Sequence, residues 1–121
     1  MSLVSLEIEA AFTFPTHRLE VKGTAVAGRL TRIRGRSGLG KTTLLRWIAG
    51  LETVDAKGSL SLGGQDLSQL SPGDREVAYL FQEPRLLPYL GVIENIVLPA
   101  KARGMSLADR TARAEFLIHT L

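Results

Sequence analysis

Several features that would point to particular classes of protein are missing from this 121-residue chain. It contains no cysteine, which excludes disulfide bonds and thiolate ligation of a metal. No apolar run approaches the ~18 residues of a membrane-spanning helix, and residues 1–3 lack the basic and then apolar pattern of a signal peptide. We therefore expect a protein that stays in the cytoplasm. Basic residues are not interleaved with aromatic ones, so we expect no nucleic-acid partner.

The composition that is present suits one globular unit. Hydrophobic residues make up 45% of the chain and charged residues 22%, and the net charge is +3. A chain of this length buries roughly two-thirds of its unfolded surface, which is enough for a core. The basic residues are spread out except for Arg29, Arg32, Arg34 and Arg36, which precede and enter a glycine-rich stretch. That position favours attraction of phosphate, although Arg29 and Arg32 would equally suit a solvated edge.

The glycine-rich stretch is the strongest motif in the chain. Residues 35–43 fit the phosphate-binding pattern G-x-x-x-x-G-K-[ST], with a strand-like run before them and a helix-like run after them, as the motif requires. Its members are Gly35, Arg36, Ser37, Gly38, Leu39, Gly40, Lys41, Thr42 and Thr43. A random match is expected in roughly half a per cent of chains this long. We therefore interpret the stretch as a loop for a nucleotide phosphate, the alternative being a turn that only caps a helix.

The residue types of this loop explain how it would bind phosphate. Glycines at positions 35, 38 and 40 let the backbone turn tightly and bring its N–H groups close to an anion. The helix that follows adds the partial positive charge of its N-terminus. Lys41 would place a cation on the outer phosphates, and the Thr42 hydroxyl would complete the coordination of Mg²⁺.

Apolar–polar alternation and short apolar runs predict several strands. The predicted strands are residues 3–8, 19–26, 29–34, 58–62 (with a tight turn at 63–64) and 77–81. The strand at 29–34 would lead into the phosphate loop. In it only Leu30 and Ile33 are large and apolar, whereas a central parallel strand is usually apolar throughout.

Helical spacing predicts one helix after the phosphate loop and two more near the end of the chain. The first has its apolar positions at Leu44, Trp47, Ile48 and Leu51. Gly50 is placed to end it, and we interpret Trp47 as core packing. Residues 93–102 form the second, which Pro99 should kink or break. Ser106 and Asp109 resemble a capping box at the start of the third. Its apolar stripe is Leu107, Ala114, Leu117, Ile118 and Leu121.

Five stretches, in order, resemble the ATP-binding subunits of ABC transporters, and together they span nearly the whole chain. They are the loop with Ser37 and Gly38 at the family's serine and glycine positions, then residues 47–51, 58–65, 77–88 and 92–96. The resemblance implies an α/β fold of the P-loop NTPase type, with an antiparallel β subdomain and the start of a helical subdomain. It implies that residues 1–121 are the N-terminal portion of one ATP-binding domain, an incomplete domain with a strand-rich nucleotide-binding core over about 1–90 and the helical subdomain beginning over about 91–121.

The resemblance also assigns roles to individual residues. It implies that residues 35–43 hold ATP and Mg²⁺, with Lys41 and Gln82 as catalytic residues and Thr42 and Gln82 as metal ligands. Gln82 would reach the metal and the attacking water and sense the γ-phosphate. An aromatic ring upstream would stack on adenine. The nearest candidate by spacing is Phe12, with Phe14 or His17 next and plain packing as the alternative for Phe12.

Two kinds of protein partner follow from the same resemblance. One is a second ATP-binding subunit in a head-to-tail dimer. The other is a set of transmembrane transporter subunits, contacted through the region from Gln82 to Asn95. Residues 86–89 in that region are apolar, and a local hydrophobic cluster is the alternative interpretation. The implied location is peripheral, on the inner face of the cell membrane.

Three motifs of the family do not occur in these residues: the Leu-Ser-Gly-Gly-Gln signature, an apolar strand ending in an acidic pair, and a histidine loop, which His119 does not match. We therefore expect the N-terminal portion of a transport ATPase that is marginally folded alone and hydrolyses ATP negligibly. The alternative is a non-catalytic nucleotide-binding or decoy module that pairs with a complete ATPase or a membrane partner. A kinase or GTPase is disfavoured because no base-reading motif or acceptor site occurs.

Overall fold

The secondary structure of the chain falls into two compact units, Met1–Leu80 and Phe81–Leu121. A computed structural model describes residues 4–54 and 56–120, so the predicted strand start at Leu3 and the stripe position Leu121 lie outside the described residues. The first unit holds β1 (Leu6–Thr13), β2 (Arg18–Ala25), α1 (Lys41–Ile48), β3 (Ala56–Leu62) and β4 (Gln65–Asp66). The second holds α2 (Val92–Ala102) and α3 (Leu107–Thr120). The boundary near residue 90 between a nucleotide-binding core and a helical subdomain stays a prediction.

The four strands form one antiparallel sheet in the order β2-β1-β3-β4. Because successive side chains of a strand point to opposite faces, the alternating sequence of β1 gives the sheet one apolar and one polar face. Phe12 faces Leu19 across the β1–β2 pair on the apolar side. On the polar side the Lys22 ammonium lies 2.9 Å from the Glu9 carboxylate. The predicted antiparallel β subdomain is therefore present.

Helix α1 packs on the apolar face of this sheet and completes the core. The core side chains are Ala10, Phe12, Leu44, Ile48, Leu60 and Leu67. The Trp47 ring meets the Phe12 ring edge-on with their centroids 5.2 Å apart, which confirms Trp47 as a packing residue. Full burial of a large apolar side chain stabilises a fold by about 1.5–3 kcal/mol. This core is consequently what holds the helix beneath the phosphate loop.

The two predicted strands at 29–34 and 77–81 are not strands in the structure. Leu30 is 93% exposed and Leu80 is 96% exposed, so neither segment is buried between helices. A parallel strand takes its hydrogen bonds from neighbours that long crossover connections bring beside it. In the part of the chain that the structure describes, every strand already belongs to the antiparallel sheet. The two segments therefore have apolar residues, but among the described residues neither pairs with a neighbouring strand.

The second unit consists of α2 and α3 packed against each other. Helix α2 continues through Pro99, so the proline does not break it. The predicted start, which resembles a capping box, is present in part: the Ser106 hydroxyl accepts from the Asp109 N–H at 3.2 Å, and it donates to the Asp109 carboxylate at 2.5 Å. The only buried side chain that these helices contribute among the described residues is Ala114. No helix within 4–54 or 56–120 combines the length and the apolar character needed to cross a membrane.

Candidate phosphate-binding site

The loop that enters α1 has a backbone that only glycine adopts without strain. Gly38 has φ of 77° and Gly40 has φ of 106°, both in the left-handed region. A Cβ placed on Gly40 would also lie 2.7 Å from the Phe14 ring. The motif glycines at these two positions are therefore required by the shape of the loop itself. Such a turn aims successive N–H groups into one concavity, which suits an anion.

Lys41 lies across this loop. Its ammonium donates to the carbonyl oxygen of Gly35 at 2.9 Å and to that of Arg36 at 2.6 Å. These two bonds hold the start of the loop beside the start of α1. An ammonium has three N–H donors, so one remains for a phosphate oxygen. The motif lysine thus both shapes the loop and supplies its fixed positive charge.

The first turn of α1 offers further donors. The N–H groups of Lys41, Thr42 and Thr43 form no backbone hydrogen bond within the described residues, as expected for the start of a helix. No acidic residue lies in that turn to compete for them. The partial positive charge of the helix N-terminus acts at the same place. The side chain of Thr42 is exposed, so its hydroxyl is free to meet a ligand. The residues present therefore fit a bound phosphate.

The turn between β1 and β2 contacts the phosphate loop. The rings of Phe14 and His17 are stacked, with centroids 4.7 Å apart and planes 19° from parallel. The Nε2 atom of His17 lies 3.1 Å from the carbonyl oxygen of Leu39, an oxygen that can only accept, so Nε2 carries the proton. Both rings are partly exposed. An aromatic pair therefore lies directly beside the loop.

Phe12, the first candidate for stacking on adenine, is a core residue. Its ring is 0% exposed, which leaves no face on which a base could stack. The reason is the strand period: Phe12 lies on the same face of β1 as Ile8 and Ala10, which pack into the core. This burial corrects the expectation and leaves Phe14 and His17, which the sequence placed next.

Gln82 lies in the second unit, in an exposed stretch without helix or strand. Close to it the guanidinium of Arg85 lies over the Phe81 ring, 5.0 Å from the centroid. Its role as metal ligand and sensor stays a prediction.

One asparagine holds the apolar segment that follows. The Asn95 amide donates to the carbonyls of Leu87, Leu90 and Gly91 at 3.2, 3.1 and 3.0 Å and accepts from the Leu87 N–H at 2.8 Å. Within this segment Leu86 is 70% exposed and Tyr89 is 78% exposed. Two large apolar side chains therefore face solvent from a loop whose backbone is fixed. In the sequence Asn95 stands only at the end of the predicted contact region, and no local pattern there indicates these hydrogen bonds.

A metal ion would need more than the protein offers at this site. Within residues 4–54 and 56–120 no group of three His, Asp or Glu side chains could hold one. Mg²⁺ commonly binds through one or two protein ligands together with the phosphates of a nucleotide. The Thr42 hydroxyl at the loop fits that pattern, because the phosphates would supply most of the remaining ligands.

An apolar cavity of about 470 Å³ in the first unit borders the phosphate loop at Leu39 and Lys41. Its other walls are mostly apolar and include Leu6, Val21 and Leu45. Such walls offer an anion almost no hydrogen bonds, so a triphosphate would lose its hydration there without compensation. The cavity is the part of the sheet's apolar face that α1 leaves uncovered, and it is not the phosphate site.

A glycine loop at the start of a helix, with a lysine across it, is the arrangement expected of a nucleotide-binding protein, and sequence comparison identifies which class. A profile of the ABC transporter family matches residues 19–121. The chain therefore belongs to the ABC transporter family, and the relatives that it matches are ATP-binding subunits. The resemblance found in the sequence is confirmed.

The individual relatives are import proteins. The chain is 38% identical over 106 residues to the sn-glycerol-3-phosphate import ATP-binding protein UgpC of Rhodopseudomonas palustris, an overlap of 85% of this chain and 29% of the relative. It is 43% identical over 95 residues to UgpC of Ruegeria pomeroyi, covering 78% and 27% of the two chains. It is 40% identical over 92 residues to the spermidine/putrescine import ATP-binding protein PotA of Pseudomonas aeruginosa, covering 76% and 25%. The chain thus spans less than a third of the length of these relatives.

Proposed function

We propose that this chain is the nucleotide-binding portion of the ATP-binding subunit of an ABC importer, and that residues 35–43 hold the triphosphate of ATP. The observation that carries the proposal is the geometry of Lys41, whose ammonium joins the two ends of a loop with two left-handed glycines. Family membership makes ATP the nucleotide of choice. Import is proposed because the named relatives are import proteins. Since they import unlike solutes, the solute is not a property of this stretch.

Each residue of the loop has a separate part in holding the nucleotide. The N–H groups of Lys41, Thr42 and Thr43 would donate to phosphate oxygens, and the Lys41 ammonium would direct its third N–H at the outer phosphates. The Thr42 hydroxyl would be a ligand of Mg²⁺. That ion neutralises phosphate charge when it is bound. The family resemblance gives Gln82 the role of contacting the ion and the attacking water.

We place the adenine base on the aromatic pair beside the loop. Phe14 and His17 are partly exposed, and His17 touches the backbone of the loop at Leu39. A base stacked on an aromatic ring contributes about 1–3 kcal/mol to binding. The pair therefore extends the site from the phosphates towards the base.

The apolar segment at 86–89 is proposed as the surface for a transmembrane subunit. Asn95 fixes its backbone while Leu86 and Tyr89 stay exposed, which is the arrangement of a preformed contact surface. A second ATP-binding subunit in a head-to-tail dimer is the other proposed partner. The protein would then lie at the inner face of the membrane, held there by its partners.

Binding without turnover is the second candidate function. These 121 residues contain neither the family signature nor the acidic strand, and general-base help of that kind is worth about 10²–10⁴ in rate. We expect ATP turnover by this chain alone to be negligible. A steady rate comparable to that of an intact transport ATPase, in a preparation free of contaminants, would contradict this expectation.

Titration calorimetry with Mg-ATP tests the proposal. Lys41→Ala should weaken binding roughly 10- to 100-fold, because charge-assisted hydrogen bonds contribute about 1.5–3 kcal/mol. Lys57→Ala is the matched control, since Lys57 is exposed on β3. It should leave the affinity unchanged. Equal affinities for the unaltered chain and Lys41→Ala would refute the proposed site.

A further inference from the structure

Arg75 is a charged residue buried inside the first unit. Within residues 4–54 and 56–120 it is the one polar or charged residue that the fold buries, at 7% exposure. It forms no ion pair among those residues. Burial of an unpaired charge is costly unless strong hydrogen bonds replace the lost water. The hydrogen bonds of the guanidinium must therefore compensate for its burial.

Four backbone carbonyls surround the guanidinium. Its Nη1 donates to the carbonyls of Trp47 at 2.7 Å and Ile48 at 3.0 Å. Its Nε donates to that of Leu70 at 2.9 Å, and its Nη2 to that of Ser68 at 3.2 Å. Two of these carbonyls belong to the last turn of α1 and two to the loop after β4. Arg75 thus ties the helix below the phosphate loop to a separate segment.

The end of α1 is shaped to accept this side chain. The helix ends in a Schellman motif, with the Gly50 N–H donating to the Trp47 carbonyl at 3.0 Å and the Leu51 N–H to the Arg46 carbonyl at 2.8 Å. Gly50 has φ of 76°, and a Cβ there would lie 2.9 Å from Nε of Arg75. The negative end of the helix dipole faces the cation. Gly50 is therefore needed both to end the helix and to leave room for the guanidinium.

The segment that carries Arg75 leads towards Gln82. The Ser71 hydroxyl donates to the Asp74 carboxylate at 2.6 Å, and residues 72–76 form a turn. Glu76 follows with φ of 54°, a left-handed conformation that is strained for a non-glycine residue. The chain direction after Arg75 is therefore set by the turn, and only six residues separate Arg75 from Gln82.

We propose that Arg75 is a positioning residue that couples the phosphate-loop helix to the segment leading to Gln82. A displacement of α1 when a nucleotide binds at its first turn would be passed through the carbonyls of Trp47 and Ile48 to Arg75, and from Arg75 to Glu76 and beyond. A guanidinium suits this task because its planar fork reaches carbonyls of two elements at once, which the single ammonium of a lysine does not. The inference rests on the proposed function, because it needs a nucleotide at the loop.

The test is a titration of the isotopically labelled chain with Mg-ATP, followed through backbone amide chemical shifts. In the unaltered chain at saturation, shifts should change at residues 35–43 and also at 76–80. Arg75→Lys should still bind Mg-ATP and shift residues 35–43, while most of the change at 76–80 is lost. Arg18→Lys is the matched control, because Arg18 is exposed and pairs with Glu20. It should keep both sets of shifts.

A second variant distinguishes a loss of coupling from a loss of folding. Glu76→Gly relieves the left-handed strain and leaves Arg75 and α1 untouched, so it should fold at least as well as the unaltered chain. Because glycine loosens the chain beyond Arg75, the shift changes at 77–80 should still shrink. Undiminished changes at 77–80 in both Arg75→Lys and Glu76→Gly would overturn the coupling. An unaltered chain that shows no shift changes at 35–43 would contradict the proposed function itself, and with it this inference.

Discussion

The two units of this chain differ in how far they bury their apolar side chains. In the first, α1 and three strands bury a shared core that includes Phe12, Leu60 and Leu67, each at most 2% exposed. In the second, α2 buries no residue and α3 buries Ala114, while Phe116 is 62% exposed. The first unit is therefore stabilised by packing. The second depends more on hydrogen bonds at its turns and helix ends, which contribute about 0.5–1.5 kcal/mol each.

The difference reflects what each element packs against. All strand pairs of the first unit are antiparallel, including β1 with β3, which lie far apart in the sequence. Such pairing brings the apolar sides of the strands together on one face, against which α1 packs. The phosphate loop precedes this packed helix. The stretch that carries Gln82, by contrast, has no strand or helix of its own among the described residues.

The largest expected effect tests the core of the first unit. Phe12→Ala should lower the free energy of unfolding by about 3–5 kcal/mol, because it removes a fully buried ring and leaves a cavity beside Trp47. Phe116→Ala makes the same chemical change on an exposed ring of α3 and should alter stability by no more than about 0.5 kcal/mol. Urea unfolding followed by circular dichroism measures both. Equal losses would contradict the difference in burial between the two rings.

A smaller effect tests the hydrogen bonds of the second unit. Asn95→Ala should cost about 1–3 kcal/mol, because it leaves carbonyls and an N–H group of the 87–91 segment without their partner. Asn95→Asp keeps the oxygen that accepts from the Leu87 N–H but sets a carboxylate oxygen against three carbonyls, so it should lose at least as much. Hydrogen exchange at the Leu87 amide reports the loss directly. An unchanged exchange rate in Asn95→Ala would show that this side chain does not hold the segment.

The smallest effect is a pH dependence in the first unit. The Ser68 N–H donates to the Asp66 carboxylate at 2.8 Å, and this bond, helped by the Ser68 hydroxyl and the charge of Arg75, lowers the pKa of Asp66. A lowered folded-state pKa stabilises the fold above the ordinary value of 3.8, and that contribution is lost as the pH falls through the folded-state value. Asp66→Asn should therefore unfold at lower urea than the unaltered chain near pH 7. The two curves should converge once the pH has fallen below the folded-state pKa of Asp66. If the two unfolding curves still differ in acid, the substitution changes stability through the shape of the side chain and not through the charge of the carboxylate.

Sequence patterns predicted the locally determined parts of this molecule. The start and end of α1 follow from Lys41 and Gly50, and the start of α3 from the Ser106–Asp109 capping box. Family spacing makes Phe12 the first candidate for adenine, with packing as the alternative, and its alternation with Ile8 and Ala10 along β1 indicates the core position that the structure shows. Arg75 could not be found from the sequence. Its four partners lie 5, 7, 27 and 28 residues away, and no local pattern marks a carbonyl acceptor.

The predictions of strands at 29–34 and 77–81 were wrong for a different reason. Apolar composition indicates burial, but it does not specify the neighbouring strands that make a segment a strand. Leu30 and Leu80 show the consequence, since both are almost wholly exposed. Sequence therefore predicted the glycine loop and its lysine better than the segments that flank them.

The central claim is that the loop at 35–43 binds the phosphates, and covalent labelling tests it most directly. An ATP analogue with a photoreactive group on its γ-phosphate is added to the purified chain with Mg²⁺, and the labelled residues are mapped by mass spectrometry. The account predicts labels on residues 35–43 that excess ATP abolishes. Labels on the walls of the apolar cavity, such as Val21 and Leu45, with none in the loop, would contradict it.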